Sequence, residues 1–477
     1  MPWREVLEPA RMDRVAVVAP SDGLRRVLVA VADAGVVELE RLTEPVPGPA
    51  GAALERCRSA RAATATRPVE PEAVLLADAP DAGALERAGR LAELAGEAEL
   101  EQVAAAAVRR GAVAALTGWS PASAVGGLAD RLAALGGALV RLPPPRGASP
   151  PTLVESGGAT GAFQPLVDTY TTLPYADINP SAFAGLAYVV MFGMMFGDVG
   201  HGALLTLAGV LLARGRPRSL SHLRRLAPFV IGAGLASMLF GLAFGEAFGP
   251  TGAVPTLWLA PLDHPTTLLA VAVAAGAGLL ALAYTLGTVN RWRESGAARA
   301  LLAASGLAGA LLYLGLAVVG LGWYRHVTVA LVTGGVLAAT GFTLGFVGSY
   351  AGSGAGGGRA AQAAVEAFDA VVRIGTNTVS FARLAAFGLT HAALGGVVWA
   401  GTAALWHRGA ALWLPAALVF LVGNGLAFAL EGLVAGVQAL RLEYYELFSR
   451  IFVTEGHRFR PWHVPTLTPT EEPCSPG

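Results

Sequence analysis

An apolar run from residue 361 to residue 405 constrains the fold of this chain more than any other feature of its sequence. A helix rises about 1.5 Å per residue, so this run would be roughly 65 Å long, about twice the thickness of a bilayer's hydrocarbon core. The last apolar run, residues 411 to 450, is also long. The two runs predict two long antiparallel helices that tilt steeply in a membrane or extend beyond it.

Shorter apolar stretches fill the region before these two runs, whereas the first 150 residues carry many Arg, Asp and Glu side chains. The chain is 14% charged, and soluble proteins carry about a quarter charged residues. The sequence therefore predicts an α-helical polytopic membrane protein that follows a soluble domain. The predicted membrane segments are residues 182–213, 226–248, 266–289, 300–321, 326–350, 361–405 and 411–450.

The distribution of arginine predicts the orientation of these segments, because cytoplasmic loops are rich in basic residues. Loops 214–225 and 290–300 and the C-terminal tail are predicted to be cytoplasmic, and loop 249–265 is predicted to lie outside. The N-terminus has no apolar signal-peptide core, so the first domain is also expected in the cytoplasm. Residues 182–213 must then cross twice, turning near residues 197–202. The prediction is eight transmembrane segments with both termini cytoplasmic.

Residues 1–150 are predicted to form a small α+β cytoplasmic domain with a short helical hairpin. The opening unit is a strand at Arg14–Pro20, a helix at Ser21–Ala34 with Ser21 as its N-cap and Gly35 after its end, and a strand at Val36–Leu39. A linker, 151–181, leads to the membrane domain, 182–460, and a tail, 461–477. The other predicted elements are helices Ala52–Ala65 and Leu85–Arg110, strand Val113–Trp119, helix Ala122–Leu135 and strand Ala138–Leu142.

Arg383 lies near the middle of the 361–405 run, too deep to reach an interface easily. A charge at bilayer depth costs at least roughly 2.5–3.5 kcal/mol on insertion scales. Arg383 therefore either pairs with a buried carboxylate or faces an ion pathway, where a guanidinium that keeps its proton can force an approaching carboxyl group to ionise. Asp369 and His391 lie on nearly the same helix face as Arg383.

The final run carries three further polar candidates, Glu431, Gln438 and Arg441. Counted from the turn between the two long helices, Glu431 is expected at the depth of the central arginine. His391 is expected outward of that level and Asp369 inward of it. Each residue type also has a structural interpretation: Arg441 as an interfacial anchor, Glu431 as the partner of an arginine, and His391 as a hydrogen-bonded packing residue.

Four further residues are candidates for lining a channel. Asp198 and His201 lie between glycines in the stretch MMFGDVGHG, where Asp198 either caps the second helical arm or faces a channel. Glu246 lies at the outer end of its segment and either lines a vestibule or marks the interface. Asn377 begins the stretch NTVSFAR, which contains the central arginine.

Several functions are not expected of this chain. It contains no lysine, so it lacks the Walker-type phosphate loop that ATP hydrolysis would need. Its formal net charge is zero, which argues against nucleic-acid binding. Cys57 and Cys474 lack metal-ligand spacing, and neither a cofactor nor a metal ion is expected.

Motifs throughout the chain resemble the membrane subunit of V-type and A-type rotary ATPases, called subunit a or subunit I. An N-terminal stretch, ARMDRVAVVAPSDGLRRVLVAVADAGVVELE, is similar to the opening unit of the family. The membrane motifs are MFGMMFGDVGHG (191–202), LGTVNRWRESG (286–296), NTVSFARLAAFGLTHAAL (377–394) and LEGLVAGVQALRLEYYELFSRIFVTEGHRFRPW (430–462).

The resemblance implies that Arg383 faces a ring of proteolipid c subunits and separates two ion half-channels. Arg441 then corresponds to the second family arginine, Glu431 and His391 to the outer half-channel, and Asp369 to the cytoplasmic one. A ring carboxylate would ionise opposite the arginine, take H⁺ or Na⁺ from one half-channel and release it into the other, while partner subunits hydrolyse or make ATP. The implied partners are the c-ring, peripheral-stalk subunits, a central-stalk or ring-cap subunit and lipids, in a prokaryotic plasma membrane.

Two other classes of protein would predict different features. A self-contained secondary ion transporter would predict inverted repeats or paired broken helices, and the sequence has no internal repeat. A structural scaffold that has lost translocation would not need Arg383, Glu431 and Arg441 together. The family's cytoplasmic arm usually has two lobes joined by a long hairpin, and here the predicted membrane segments already begin at Ala182.

Overall fold

The chain forms two compact units, seen in a computed structural model that describes residues 8–40, 48–62, 72–145, 147–154, 161, 163–216, 219, 223–224, 226–303, 306–352, 358–452 and 454–467. The sheet unit comprises Pro9–Val154 and Gly456–Gly477, and the helical unit comprises Met1–Glu8 and Glu155–Glu455. Cys57 is a half-buried free thiol, and Cys474 lies outside the described residues.

The sheet unit is built on an antiparallel sheet of strand order β2-β5-β1-β6, with β4 also paired to β5. Since β1 and β2 both run antiparallel to β5, they are parallel to each other with one strand between them. Strands β5 and β6 have the same relation across β1. These are two split βαβ units, which confirms the predicted α+β region. The strands are β1 (Met12–Pro20), β2 (Glu38–Leu39), β4 (Val108–Arg110), β5 (Val113–Pro121) and β6 (Ala138–Leu142).

Each of the two βαβ motifs contributes one helix that packs on this sheet. These helices are α1 (Leu24–Ala34) and α5 (Val125–Ala133), and both bury their apolar side chains against the strands. Gly35 ends α1 with φ 58°, as predicted. The prediction of Ser21 as N-cap is wrong. The backbone N–H of Gly23 donates to the carbonyl of Pro20, so a turn follows β1 and the helix begins only at Leu24, without a side-chain cap.

The predicted helical hairpin is present but its second arm is interrupted. Helix α2 (Pro49–Ala62) packs against α3 (Ala82–Ala88) and α4 (Leu91–Ala105) through small and apolar side chains. The single predicted helix Leu85–Arg110 is wrong, because Gly89 adopts φ 68° between α3 and α4 and because Val108–Arg110 pairs with β5. Residues 63–65 of the first predicted helix lie outside the described residues.

The C-terminal segment completes the sheet unit. Strand β7 (Thr466–Leu467) pairs in parallel with β3 (Leu75–Leu76). The indole N–H of Trp462 donates to Glu99, and Trp462 and Val464 are buried in the apolar core of the unit.

Within the described residues, the helical unit contains six stretches that are long and apolar enough to cross a membrane, and two shorter apolar helices. The short helices, α7 (Ser181–Met195) and α8 (Val199–Ala213), have 15 residues each and divide residues 182–213 as predicted. The count of eight spans depends on these two and stays a prediction. The longer stretches are Ala227–Phe244, Pro265–Glu294, Ala300–Arg325, Thr328–Gly352, Arg359–Trp406 and Trp413–Ile451.

The remaining helices of this unit are labelled in chain order: α6 (Gln164–Tyr170), α9 (Ala227–Phe244), α10 (Pro265–Ser295), α11 (Ala297–Leu302), α12 (Leu307–Arg325) and α13 (Thr328–Gly352), followed by α14 (Arg359–Ser380), α15 (Ala382–Trp406) and α16 (Trp413–Leu442). Only Phe381 separates α14 from α15. Helix α16 continues as a π-helix, Glu443–Phe448, and ends in a last turn, Ser449–Ile451.

Candidate functional site

Arg383 lies in the first turn of α15, immediately after the junction with α14. The junction residue Phe381 is fully buried and packs on Gly276, where a Cβ atom would overlap the aromatic ring. Among the residues that the structure describes, Arg383 has no carboxylate within ion-pair distance, and its Nη1 is buried without a hydrogen-bond partner. A buried acid beyond that distance, Glu446, nevertheless interacts electrostatically with Arg383.

Glu431 and His391 meet across the interface of α15 and α16, where Glu431 Oε2 contacts His391 Nδ1. Their side chains are 17% and 5% exposed. The expectation that Glu431 lies at the depth of Arg383 is wrong. Because Glu431 touches His391, the two share a level on the helix pair, and Arg383, in the first turn of α15, lies about two helical turns away from that level.

His201 is buried next to this pair. Its ring lies 5.6 Å from that of His391 and stacks on Phe196, also at 5.6 Å. His201 is 1% exposed, and neither of its ring nitrogens has a hydrogen-bond partner in the described part of the chain. The sequence identified His201 as a candidate. The structure brings His201, on α8, into ring contact with His391, on α15.

Asp198 is the N-cap of α8, which confirms the capping interpretation. Its Oδ1 accepts the backbone N–H groups of His201 and Phe248 at 2.8 and 3.0 Å, and its Oδ2 accepts that of Gly249 at 2.9 Å. The carboxylate thus holds the loop after α9 in place. Gly249 has φ 86°, and a Cβ atom there would lie 2.7 Å from the carbonyl oxygen of Gly395 on α15.

Glu246 belongs to the same loop and is 5% exposed. It interacts electrostatically with His391, Asp198 and Glu431. The predicted residues Asp198, His201, Glu246, His391 and Glu431 therefore form one buried polar cluster, which we call the histidine cluster.

Asp369 lies apart from Arg383. It forms an ion pair with Arg373 one turn further along α14, and the two side chains are 49% and 60% exposed. Arg441 is exposed on α16, while Gln438, on the same helix, has a buried Oε1 without a hydrogen-bond partner among the described residues.

A buried carboxylate that the sequence did not identify, Glu446, lies close to Arg383. Glu446 is 7% exposed, accepts a hydrogen bond from Ser380 Oγ and interacts electrostatically with Arg383, Arg441 and Arg450. Its position depends on the π-helix, which rotates the last residues of this helix relative to an α-helical register. An α-helical reading of the sequence could not show which face Glu446 occupies.

Asn377, a predicted candidate, connects this region to the end of the last helix. With its amide nitrogen donating to the carbonyl of Arg373, its oxygen accepts from Arg450 Nη2 at 2.9 Å. Arg450 also lies over the ring of Tyr284, 5.6 Å from its centroid. A cavity of about 450 Å³ opens beside these groups, and Glu366, Arg373, Arg450 and Tyr284 are among its lining residues.

Polar groups therefore occur on both sides of Arg383. The histidine cluster lies toward the end of α15 at Trp406, and Glu446, Asn377 and Arg450 lie toward the opposite end of the helix pair. The carboxylates and imidazoles of the histidine cluster and the carboxylate of Glu446 can bind and release a cation, whereas the arginine between them repels one.

Another buried carboxylate, Asp177, lies in the segment before α7. Asp177 is fully buried, and its carboxyl group lies close to that of Glu294 on α10. Burial, followed by the negative charge of Glu294, raises the pKa of Asp177 to about 7. The neighbouring N–H of Ile178 donates to Asn290 on α10, which fixes the segment against that helix.

Comparison with known proteins gives this site a context. Residues 118–224 match the model of the V-type ATPase 116kDa subunit family. The chain is 28% identical to the A-type ATP synthase subunit I of Halobacterium salinarum over 396 residues, covering 68% of this chain and 53% of that protein. It is 26% identical to the A-type ATP synthase subunit I of Thermococcus kodakarensis over 367 residues, covering 73% of this chain and 54% of that protein.

A shorter match is closer in sequence. The V-type ATP synthase subunit I 2 of Treponema pallidum is 34% identical over 119 residues, which cover 25% of each chain. The chain spans about half the length of the subunit I proteins of Halobacterium and Thermococcus. The similarity and the six long apolar helices together indicate a multi-pass membrane protein.

Proposed function

Because the chain belongs to the family of V-type and A-type ATPase membrane subunits, we propose that it is the static subunit that conducts ions past the c-ring of a rotary ATPase. Partner subunits would carry out ATP hydrolysis or synthesis, and this chain would supply the two half-channels for H⁺ or Na⁺. The observation that carries the proposal is Arg383, with a buried nitrogen that has no hydrogen-bond partner among the described residues, between two polar regions on α14–α16 and the π-helix.

The half-buried guanidinium of Arg383 supports the proposal, because its Nη1 is buried without a hydrogen-bond partner among the described residues and such an atom is costly. An acid on a passing c subunit would provide that partner. Arg383 would favour the ionised form of this acid and thereby discharge its ion before the acid moves on. Because arginine keeps its own proton, it would block ions from leaking directly between the two sides.

Exposed apolar side chains on α14 and α16 also support an intramembrane partner. Helix α14 exposes Val365, Phe368, Val372 and Val379. Helix α16 exposes a longer series of apolar side chains: Leu421, Val422, Leu426, Leu430, Leu433, Val434 and Val437. Lipid tails or another apolar helix surface must cover these residues, and we propose the c-ring on the side that carries Arg383.

The histidine cluster would form the outer half-channel. Glu431 is partly exposed and contacts His391, so an ion arriving at Glu431 could pass along the cluster toward the ring. Glu446 and the cavity lined by Arg373 and Arg450 would form the cytoplasmic half-channel. Asp369 would lie at its entrance, in keeping with its exposed position.

Arg441 and Gln438 would assist Arg383 from the neighbouring helix. Arg441 is exposed on α16 and Gln438 has an unpartnered buried oxygen, so both retain polar groups that a ring carboxylate could contact. The termini would be cytoplasmic, in the plasma membrane of a prokaryote. Peripheral-stalk and central-stalk or ring-cap subunits would complete the assembly, and the α2–α4 hairpin of the sheet unit offers one surface for the stalks.

Replacement of Arg383 tests this proposal. We expect Arg383→Ala, in the assembled complex reconstituted in vesicles, to abolish ATP-driven ion uptake. The control is Arg408→Ala, which removes an exposed arginine after α15 and should leave uptake intact. Uptake is measured with a fluorescent pH indicator or with ²²Na⁺, after checking that both variants assemble equally. Undiminished uptake by the Arg383→Ala complex would contradict the proposal.

A further inference from the structure

We propose that Asp198, His201 and His391 form a binding site for a borderline-soft divalent metal ion such as Zn²⁺. The three residues come from α8 and its N-cap and from α15. One carboxylate oxygen of Asp198 and one ring nitrogen of each histidine lie within 4.8 Å of one another. All three side chains are buried, with residue exposures of 0%, 1% and 4%.

The unused nitrogens of His201 are the independent observation that points to a ligand. Both are buried and neither makes a hydrogen bond of normal geometry among the described residues; Nδ1 lies 3.7 Å from Oδ1 of Asp198. A buried polar atom without a partner costs about 1–3 kcal/mol, so something normally satisfies it. Coordination of a metal ion by one of these nitrogens would do so.

The residue types select the metal. Two imidazoles and one carboxylate suit Zn²⁺ and its neighbours in the first transition series, whereas Mg²⁺ and Ca²⁺ require oxygen ligands throughout. Ligand atoms about 2.1 Å from a tetrahedral Zn²⁺ would be separated by about 3.4 Å. Small side-chain rotations of His201 and His391 would bring the present separations to that value.

Asp198 retains capacity to coordinate although it caps α8. It accepts three backbone hydrogen bonds, two at Oδ1 and one at Oδ2. An ionised carboxylate has about four lone-pair directions, so Oδ2 keeps one for a metal ion. These three bonds also hold the carboxylate in a fixed orientation, which reduces the entropy lost on binding.

Glu431 acts as a positioning residue. A carboxylate on one nitrogen of a metal-binding histidine usually orients the ring and makes its other nitrogen a better ligand. Glu431 contacts Nδ1 of His391, which leaves Nε2 for the metal. Glu431 is also the most exposed member of this group, so it provides the route by which an ion enters.

The consequence for transport rests on the proposed function. A divalent ion held by His391 would place two positive charges beside Glu431 and obstruct the outer half-channel. The site itself does not depend on transport, so its test is a binding measurement. Failure of binding and failure of ion conduction are therefore separate results.

The test uses Co²⁺ as a spectroscopic probe on the full-length chain in detergent, with Cys57→Ser and Cys474→Ser to remove thiol ligands. We expect one Co²⁺ per chain, with the strong visible absorption of four-coordinate Co²⁺, and its loss when Zn²⁺ is added. His201→Gln and His391→Gln should each weaken binding by more than about 100-fold. Glu431→Gln should weaken it by about 10–100-fold with the stoichiometry unchanged.

His407→Gln is the matched control, since His407 is an exposed histidine after α15, and it should bind as the parent does. Circular dichroism and gel filtration establish that each variant is folded, and His201→Asn replaces His201→Gln if the latter is not. The proposal is overturned if the parent shows no four-coordinate Co²⁺ spectrum. It is equally overturned if that spectrum survives in both histidine variants.

Discussion

Asp198 and Arg383 are both charged groups in apolar surroundings, and their partners distinguish their roles. Asp198 accepts three backbone N–H groups, which satisfy its charge within the chain. Arg383 has a buried nitrogen without a partner in the described structure. Since buried polar groups are normally compensated, Asp198 has a structural role of its own, while Arg383, whose charge interacts with Glu446, keeps one nitrogen free for a further partner on the proposed function.

Asp177 should make the stability of the protein depend on pH. Burial and the nearby Glu294 raise its pKa to about 7, against about 3.9 in an unfolded chain. Between these values the folded state binds more protons, so stability falls as pH rises, by up to about 1.4 kcal/mol per pH unit. We expect Asp177→Asn to flatten this dependence between about pH 5 and about pH 7 in thermal unfolding of the detergent-solubilised protein.

Asp263→Asn, at an exposed aspartate before α10, is the control and should retain the parent slope. An unchanged slope in Asp177→Asn would show that other groups cause the pH dependence.

Glu446 should matter more for ion transport than Asp369. Glu446 is buried and interacts with Arg383, whereas Asp369 is exposed and paired with Arg373. In the reconstituted complex we expect Glu446→Gln to slow ATP-driven uptake at least about tenfold, equivalent to about 1.4 kcal/mol. Asp369→Asn should remain within about twofold of the parent. A larger loss in Asp369→Asn than in Glu446→Gln would reverse this assignment.

At the scale of elements, small residues allow the membrane helices to approach one another closely. On α12, a Cβ atom added to Gly315 would lie 2.7 Å from the Cα of Ala338 on α13 and 2.8 Å from the carbonyl oxygen of Gly334. Close packing of this kind stabilises helix association inside a membrane, where the hydrophobic effect does not drive it.

Gly315 and Gly320 lie on the same helix and should respond in opposite ways to substitution by alanine. At Gly315 the new methyl group would push α12 from α13 and cost about 1–3 kcal/mol. At Gly320 there is no atom within 4 Å of an added Cβ, so alanine should gain about 0.5–1 kcal/mol from helix propensity. Thermal unfolding in one detergent measures both. Equal effects at the two positions would show that this contact does not limit stability.

The sequence predicted elements well where local chemistry determines them. Gly35 ended its helix, Ala138–Leu142 formed the expected strand, and the glycines around Asp198 divided two short helices. Its predictions were wrong where contacts between residues distant in the sequence, or an irregular helix, determine the structure. The β-pairing of Val108–Arg110 interrupts a stretch with good helix propensity. The π-helix after Leu442 changed which carboxylate lies near Arg383, and no sequence period reports that shift.

At the scale of the whole molecule, the chain should be unable to transport ions alone. On the proposed function, Arg383 blocks direct passage between the two polar regions, and only a moving c-ring carries ions between them. We expect the purified chain in proteoliposomes to show no ion uptake under an imposed gradient, and the assembled complex to show it under the same conditions. Uptake by the lone chain would support a secondary transporter instead.

The sheet unit is built from two segments at opposite ends of the chain, and this has a consequence for biosynthesis. Trp462 and Val464 belong to its apolar core, yet they are made after the entire helical unit, which occupies Glu155–Glu455. At about 5–20 residues per second, the ribosome needs roughly 15–60 s to synthesise that interval. Throughout this time the nascent N-terminal segment lacks the side chains that close its core. The core of this unit can therefore close only after residues 155–455 have been synthesised, and its apolar side chains are available to a chaperone until then.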